Sequence, residues 1–282
     1  MTAGSAPAMK KSDKFIHAAG QLDNFSCPVC HGPLHHQQPA LVCPNRHSYN
    51  INKKGFVSFL SAPVDTCYDA ALFQARRRVF DFGFFDDVCN CIDSILGDAP
   101  HRILDAGCGE GWYLDRLLAG HDNRCGAGID ISRDAIQIAT SLPCCAAWCV
   151  ADLRRLPFRS HSFTAILDIL TPADYTLFRE LLAEDGLLIK VYPGHTYLRE
   201  IREARGLPLY EDGKVDEYLR QKTTVLETHH IHRVFDITPD IWRSFVYMTP
   251  LNQDLDEAAK EALAANPSST ITMDMDVSVC RL

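Results

Sequence analysis

The chain has 282 residues, 46% apolar and 23% charged, with a formal net charge of −8. This is an ordinary globular composition, with enough length for a full core and a small accessory unit. It excludes a polycationic nucleic-acid coat, and no run of about 18 apolar residues is present to suggest a membrane partner.

Residues 1–24 begin MTAGSAPAMKKSDKF, polar and rich in small residues, and are expected to form a flexible N-terminal tail. They lack the apolar segment of a secretory leader, so the expected location is cytoplasmic. In that compartment the twelve cysteines are not expected to form a disulfide framework. Cys125, Cys144, Cys145 and Cys149 lie around expected strands and read as small buried hydrophobes.

Residues 25–60 carry the first informative spacing. Cys27, Cys30, Cys43 and His47 form C-x2-C-x12-C-x3-H, two short knuckles that each supply two corners of a tetrahedron, the geometry of closed Zn2+ sites. His31 abuts Cys30 too closely for an easy chelate, and His35 and His36 fall outside the spacing. The following HSYNINKKGFVSFL alternates enough for a short strand or two, as expected of a small zinc-binding β module. Residues 1–60 hold six cations against two acids, a net of +4, which leaves −12 for the rest. A basic module before an acidic body suggests an anionic partner for the module. Scattered, solvated cations remain an alternative reading of the same charges.

Residues 61–100 are expected to form a turn-rich linker (61–70) and one or two helices over 71–96, interrupted at Gly83. Arg76, Arg77 and Arg78 are candidates to meet an anion, though consecutive helical residues diverge. Residues 101–282 alternate strand and helix. Strands are expected at 102–106, 124–130, 146–151, 163–169 and 187–192, with helices near 112–119, 132–140 and 174–183. Strands apolar nearly throughout imply a mostly parallel sheet covered on both faces. The segments 222–236 and 270–281 alternate with period two and suit an antiparallel pair closing that sheet, with helices at 238–247 and 253–265 between them.

The stretch ILDAGCGEGWY ends an apolar strand in Asp105 and continues through Gly107, Gly109 and Gly111 into a helix. Such a loop lets backbone approach a nucleotide at the carboxyl edge of a parallel sheet. The pattern D-x-G-x-G-x-G differs from the dinucleotide spacing G-x-G-x-x-G. An acid at the strand end suits a ligand with an ammonium and no pyrophosphate, namely S-adenosylmethionine. Asp130, followed by Ile131, ends the second strand, where a carboxylate accepts from ribose hydroxyls. Asp152 follows the third, placed for the adenine amino group, with the backbone near Leu153 at the ring edge. Asp130 as a cap for the helix beginning near Ser132 is the plain alternative.

The zinc cluster, KKGFVSFL, QARRRVFDFGFF, ILDAGCGEGWY, LPF and YMTP occur in the order found in the 23S ribosomal RNA guanine-N1-methyltransferases, which the chain resembles from Phe25 to Leu282. The resemblance implies an α/β, class I (Rossmann-like) S-adenosylmethionine-dependent methyltransferase domain behind the zinc-binding module. It also implies a 23S rRNA hairpin as substrate, with methyl transfer to guanine N1 and a zinc module that is structural and helps hold RNA. A homodimer is left open. N1 of guanine carries a proton that must leave, so a base or a water path is needed. Asp168 and Asp174, after the fourth strand, are the candidate catalytic acids. A looped-out base wants an aromatic partner, and Trp112, Tyr113, Tyr192 and Tyr197 are available. The competing readings are a class I methyltransferase acting on a small molecule, with the zinc purely structural, and a non-catalytic RNA-binding protein on the same fold.

Overall fold

The computed structural model describes residues 9–62, 64, 70–211 and 213–282. In chain order, α1 (Lys11–Leu22) precedes β1 (His35–Gln37), β2 (Ala40–Val42), β3 (Ser48–Asn50) and β4 (Phe56–Ser58). Helices α2 (Ala70–Asp81) and α3 (Asp86–Leu96) lead to β5 (His101–Ala106), α4 (Trp112–Leu118), β6 (Arg124–Asp130), α5 (Arg133–Ala139) and β7 (Ala147–Val150). Next come β8 (Phe163–Ile169), α6 (Tyr175–Leu181), β9 (Leu182–Pro193), α7 (Arg199–Ala204) and α8 (Lys214–Lys222). The chain closes with β10 (Thr224–Asp236), α9 (Pro239–Met248), a short 3-10 turn (Pro250–Asn252), α10 (Glu257–Ala264) and β11 (Thr270–Arg281).

The main sheet has the order β10-β11-β9-β8-β5-β6-β7-β4. β5 pairs in parallel with both β6 and β8, β6 with β7, and β8 with β9. The expected antiparallel pair forms, with β11 between β9 and β10. Winding therefore reverses between β5 and β8, and the crevice outside their carboxyl ends is where an open α/β sheet takes its ligand.

Both faces are covered, as the apolar strands require. On one face Val79, Phe84, Ile92, Leu114 and Phe245 form a core with Ile103 and Leu167. On the other, Phe15, Phe178 and Leu219 pack with Leu104, Ile166 and Leu188. Gly128 in β6 permits a close approach, since a Cβ there would stand 2.3 Å from the Trp148 ring.

The N-terminus departs from expectation. Residues 1–8 of the anticipated flexible tail lie outside the described residues, but 11–22 form a helix with Phe15 and Ala18 fully buried. Its apolar stripe is only Phe15, Ala18 and Leu22, narrow enough to be masked by the polar residues around it. Lys14 Nζ donates to the carbonyls of Pro143 (2.8 Å) and Leu142 (3.2 Å), and Lys11 Nζ to Ser141 Oγ at 2.8 Å. Two cations of the basic segment thus fasten α1 to the loop before β7, and Lys54, in the turn between β3 and β4, donates to Gln137 of α5.

The zinc module and the sheet are joined around the expected boundary at residue 60. β4 leaves the zinc module and adds a parallel edge strand to the sheet, with Phe56 paired to Trp148. Cys27, Leu41 and Cys43 belong to the same buried cluster as Leu104 and Ile129. The LPF motif explains part of this join. Ser26 N–H donates to the Pro157 carbonyl at 2.9 Å, and the Phe25 and Phe158 rings lie 5.0 Å apart. Residues 65–69 of the expected linker lie outside the described residues.

Because α1 is part of the core, Phe15→Ala should destabilise the whole protein by about 3–5 kcal/mol. Denaturant unfolding followed by tryptophan fluorescence checks this; an unchanged midpoint would mean that α1 is only loosely docked.

Candidate active site and metal centre

A cavity of about 560 Å3 opens at the carboxyl ends of β5, β6, β8 and β9. The glycine loop forms one wall. Gly107 and Cys108 N–H both donate to the Ile129 carbonyl, at 2.8 and 2.9 Å, tying the loop to the end of β6. Gly107 sits at φ +80°, and a Cβ there would meet Thr171 Oγ1 at 2.6 Å, so the position needs glycine twice over.

Asp105 lines this cavity, 2% exposed, and its Oδ2 finds no hydrogen-bond partner among the described residues. Burial, then the charges of Asp130 and Asp168, push its carboxyl up to about 8. Asp130 accepts from Gly109 N–H (2.9 Å) and Ser132 N–H (2.8 Å), while Ser132 itself caps α5. Asp130 therefore shapes the loop and still presents a carboxylate to the cavity. Burial raises its pKa, and the two backbone donors oppose the rise. Glu110, also lining the cavity, is pushed up to about 7 by burial, against the pull of Arg76 and Arg77.

Of the three arginines, Arg76 alone lines this cavity, its Nη1 3.5 Å from where a Cβ on Gly109 would stand. Arg77 pairs with Asp81 at 3.1 Å on the surface, and Arg78 lines a separate smaller groove. Asp152 and Leu153 lie beyond β7 and outside the cavity lining. Arg154 holds the Asp152 carboxylate through its backbone (2.9 Å) and guanidinium (3.1 Å), which lowers its pKa. Ile131 and Gly111 are likewise outside the lining.

Cavity residues suit S-adenosylmethionine on the protein's own terms. Asp105 brings a buried carboxyl whose Oδ2 has no partner among the described residues, Arg76 brings a guanidinium to the same wall, and Asp130 ends the neighbouring strand, a donor set that fits an ammonium, a carboxylate and hydroxyls.

The remaining candidates divide between the cavity wall and the structure behind it. Asp168 is fully buried and outside the lining; its Oδ2 accepts from Lys190 Nζ at 2.9 Å, and burial against that pairing leaves its pKa near 6. Asp174 caps α6 by accepting from Leu177 N–H at 3.1 Å. Trp112, Tyr113, Tyr192 and Tyr197 all line the cavity. Trp112 already stacks on Phe80, centroids 4.6 Å apart, and the Tyr192 hydroxyl is bound to Asp216. Lys190, Thr171 and Leu251 were not anticipated there. A lone lysine inside the apolar run LLIKVY was the available signal for the first. YMTP was visible as a motif, and Met248, Thr249 and Pro250 now stand in the cavity wall.

At the metal centre the ligand atoms of Cys27, Cys30, Cys43 and His47 all lie within 4.8 Å of one another. Cys30 and Cys43 Sγ are 3.6 Å apart, and His47 Nδ1 lies 3.5 Å from Cys27 Sγ and 3.4 Å from Cys43 Sγ. A tetrahedron with Zn–S near 2.3 Å and Zn–N near 2.05 Å has edges of about 3.8 and 3.6 Å, so the cluster fits zinc. Both knuckles turn through a left-handed residue, His31 and Arg46. The Tyr49 hydroxyl lies 3.4 Å from Cys27 Sγ, a supporting contact to a ligand sulfur.

An open, mostly parallel sheet of this order, with an unpaired acid beside the glycine loop of its first strand, defines a class I methyltransferase. Residues 103–184 match the methyltransferase domain family, and residues 25–66 match a zinc-ribbon family described as "RlmA, N-terminal". The chain is 33% identical over 275 residues to a Bacillus subtilis (strain 168) protein named "Putative 23S rRNA (guanine-N(1)-)-methyltransferase YxjB", covering 90% of this chain and 96% of the relative. It is 26% identical to the Streptomyces fradiae "23S rRNA (guanine(748)-N(1))-methyltransferase", covering 90% and 95%. The chain belongs to the 23S rRNA (guanine-N1)-methyltransferase family.

Two outcomes are expected here. Cys43→Ser should lose stoichiometric zinc by metal analysis while His35→Ala keeps it; zinc retained in the serine variant would disprove the ligand set. Asp105→Asn should weaken S-adenosylmethionine binding yet raise the melting temperature of the cofactor-free protein at neutral pH. The sign follows from the raised pKa. Above the unfolded value of about 3.9 the unfolded chain has lost a proton that the folded carboxyl retains up to about 8, so stability falls as pH rises across that window. The amide has no such loss, and a gain of about 2–4 °C per kcal/mol follows for a chain of this size. Calorimetry and thermal melts at several pH values read both effects.

Proposed function

We propose that this protein is an S-adenosylmethionine-dependent methyltransferase that methylates N1 of a guanine in a 23S rRNA hairpin, with the zinc module forming part of the RNA-binding surface. The observation that carries the reading is kinship over nine-tenths of the chain, zinc ribbon and catalytic domain together, with proteins named for that reaction. The cavity supports it, since it continues past the glycine loop to Lys190, Tyr192, Tyr197 and Met248, room for one planar base beside the cofactor.

When bound, the cofactor supplies an electrophilic methyl group on a sulfonium. Asp105 would hold its ammonium, Arg76 its carboxylate and Asp130 its ribose hydroxyls, while Asp152 and Leu153, outside the cavity lining, take no part in this arrangement. These contacts fix the direction from which N1 must approach, and positioning is the larger part of such catalysis. Asp174 is engaged as a helix cap and Asp168 lies behind Lys190, so the N1 proton leaves to water at the cavity mouth.

With Lys11, Lys14 and Lys54 engaged in docking, Arg46 and Lys53 are exposed cations left to the module for RNA phosphates. Incubating the protein with labelled S-adenosylmethionine and unmodified 23S rRNA, then mapping the modified nucleotide, tests the activity. A label on a base other than guanine, or none on RNA, would sink the reading. Substituting Arg46 and Lys53 by Ala should weaken binding to the hairpin and flatten the plot of log affinity against log salt by about 1.4–1.8. Unchanged salt dependence would confine the module to a structural role.

A further inference from the structure

The cavity wall carries one end of a charged pair that the cofactor does not explain. Lys190 lies in β9 directly beside Asp168 of β8 in the parallel register, flanked by the buried residues Leu188, Ile189 and Val191 on its own strand and Ile166 and Leu167 on the other. Its Nζ donates to Asp168 Oδ2 at 2.9 Å and to the Thr171 carbonyl at 2.6 Å. An ammonium has three donors, so one remains, and Lys190 lines the cavity whereas Asp168 does not. A buried ion pair of this kind is at best neutral against an apolar pair of the same volume. Its presence at the carboxyl ends of central strands therefore calls for a use.

Arg76 and Lys190 are the two cations that line the cavity, and they stand at different parts of it. Arg76 is beside the glycine loop, near Glu110 and Gly109. Lys190 is beside the Leu170–Pro172 turn and Tyr192, the part left for the acceptor. An acceptor base in that part meets a fixed positive charge and a single unused N–H.

Resting on the guanine-N1 reading, we propose that Lys190 is a catalytic residue that donates its remaining N–H to O6 of the target guanine, and that Asp168 is the positioning residue that holds Lys190 there. The chemistry gives the reason. Neutral guanine has a hydrogen on N1 and no in-plane lone pair to attack with. Losing that proton places a negative charge shared by N1 and the adjacent O6. A preorganised ammonium on O6 stabilises that charge without having to reorient as it develops. The N1–H bond breaks and its proton passes to water. The freed pair on N1 forms the N–CH3 bond as the S–CH3 bond breaks and its electron pair returns to sulfur. The products are N1-methylguanine, S-adenosylhomocysteine and one hydronium ion, so atoms and charge balance. No carboxylate needs to touch N1, which agrees with Asp168 being shielded behind the lysine. Asp168 and the Thr171 carbonyl instead direct the ammonium, and Thr171 is itself pressed against Gly107 of the cofactor loop.

The test is single-turnover methylation of a 23S hairpin from about pH 6.5 to 9.5 by wild type, Lys190→Met, Lys190→Arg and the double variant Asp168→Asn/Lys190→Met. The double variant removes both charges, so it reports if the single methionine variant fails to fold. At neutral pH the methionine variants should be slower by about 10²–10³, the loss typical for one oxyanion donor. The deficit should shrink as pH rises, because N1 then loses its proton unaided. Lys190→Arg should restore part of the rate. A hairpin carrying 8-azaguanosine at the target, whose N1 proton is more acidic, should rescue the methionine variants more than it speeds wild type. A deficit of equal size at every pH, with no preferential rescue by the analogue, would overturn the role and leave the pair structural. Wild type that methylates an atom other than guanine N1 would fail the functional reading itself, which the mapped product distinguishes.

Discussion

Two backbone N–H groups that share one carbonyl, those of Gly107 and Cys108 on Ile129, hold the working edge of this protein together. The fork joins the loop leaving β5 to the end of β6 and requires a left-handed glycine pressed against Thr171. From it the Gly109 N–H reaches Asp130, and Asp105 is left buried beside an open cavity. Thr171 in turn gives its carbonyl to Lys190, which is paired to Asp168. Loop, carboxylates and ion pair are one connected arrangement, so a disturbance at Gly107 reaches both the cofactor side and the acceptor side.

Asp105, Glu110 and Asp168 all have pKa values raised chiefly by burial; the first two line the cavity and the third lies behind Lys190. Arg124 shows how the fold treats a buried charge that has only a structural task. Its guanidinium donates to the Leu117 carbonyl at 2.8 Å and also to Asp93 and to the Gly97 carbonyl, closing the base of the sheet far from the cavity. Two of the three guanidinium nitrogens are answered and Nε is not, while Asp105 keeps its unanswered oxygen at the edge of an open cavity.

Much of this was legible in the residues. Apolar strands at regular spacing forced the parallel sheet, and D-x-G-x-G-x-G located its ligand edge. The spacing of Cys27, Cys30, Cys43 and His47 was sufficient for the metal centre because knuckle geometry is local. The illegible parts depend on distant partners. Phe15, Ala18 and Leu22 make too narrow a stripe to show a helix until the loop at 140–143 accepts its lysines. FVS reads as part of the zinc module because its partner strand lies far along the chain. Lys190 stands out as a lone lysine in an apolar run, but its register with Asp168 is what reveals its partner.

The pairing of β4 with β7 sets a constraint on the order in which the chain can assemble. Phe56 is made about ninety residues before Trp148, its register partner. During synthesis the zinc knuckles, whose four ligands span only residues 27–47, can close while β4 still has no sheet to join. The metal then acts as a local anchor that keeps an early, short strand in shape until a late one arrives. Once β7 is in place, β4 covers an edge that would otherwise offer a free row of backbone donors and acceptors to another chain.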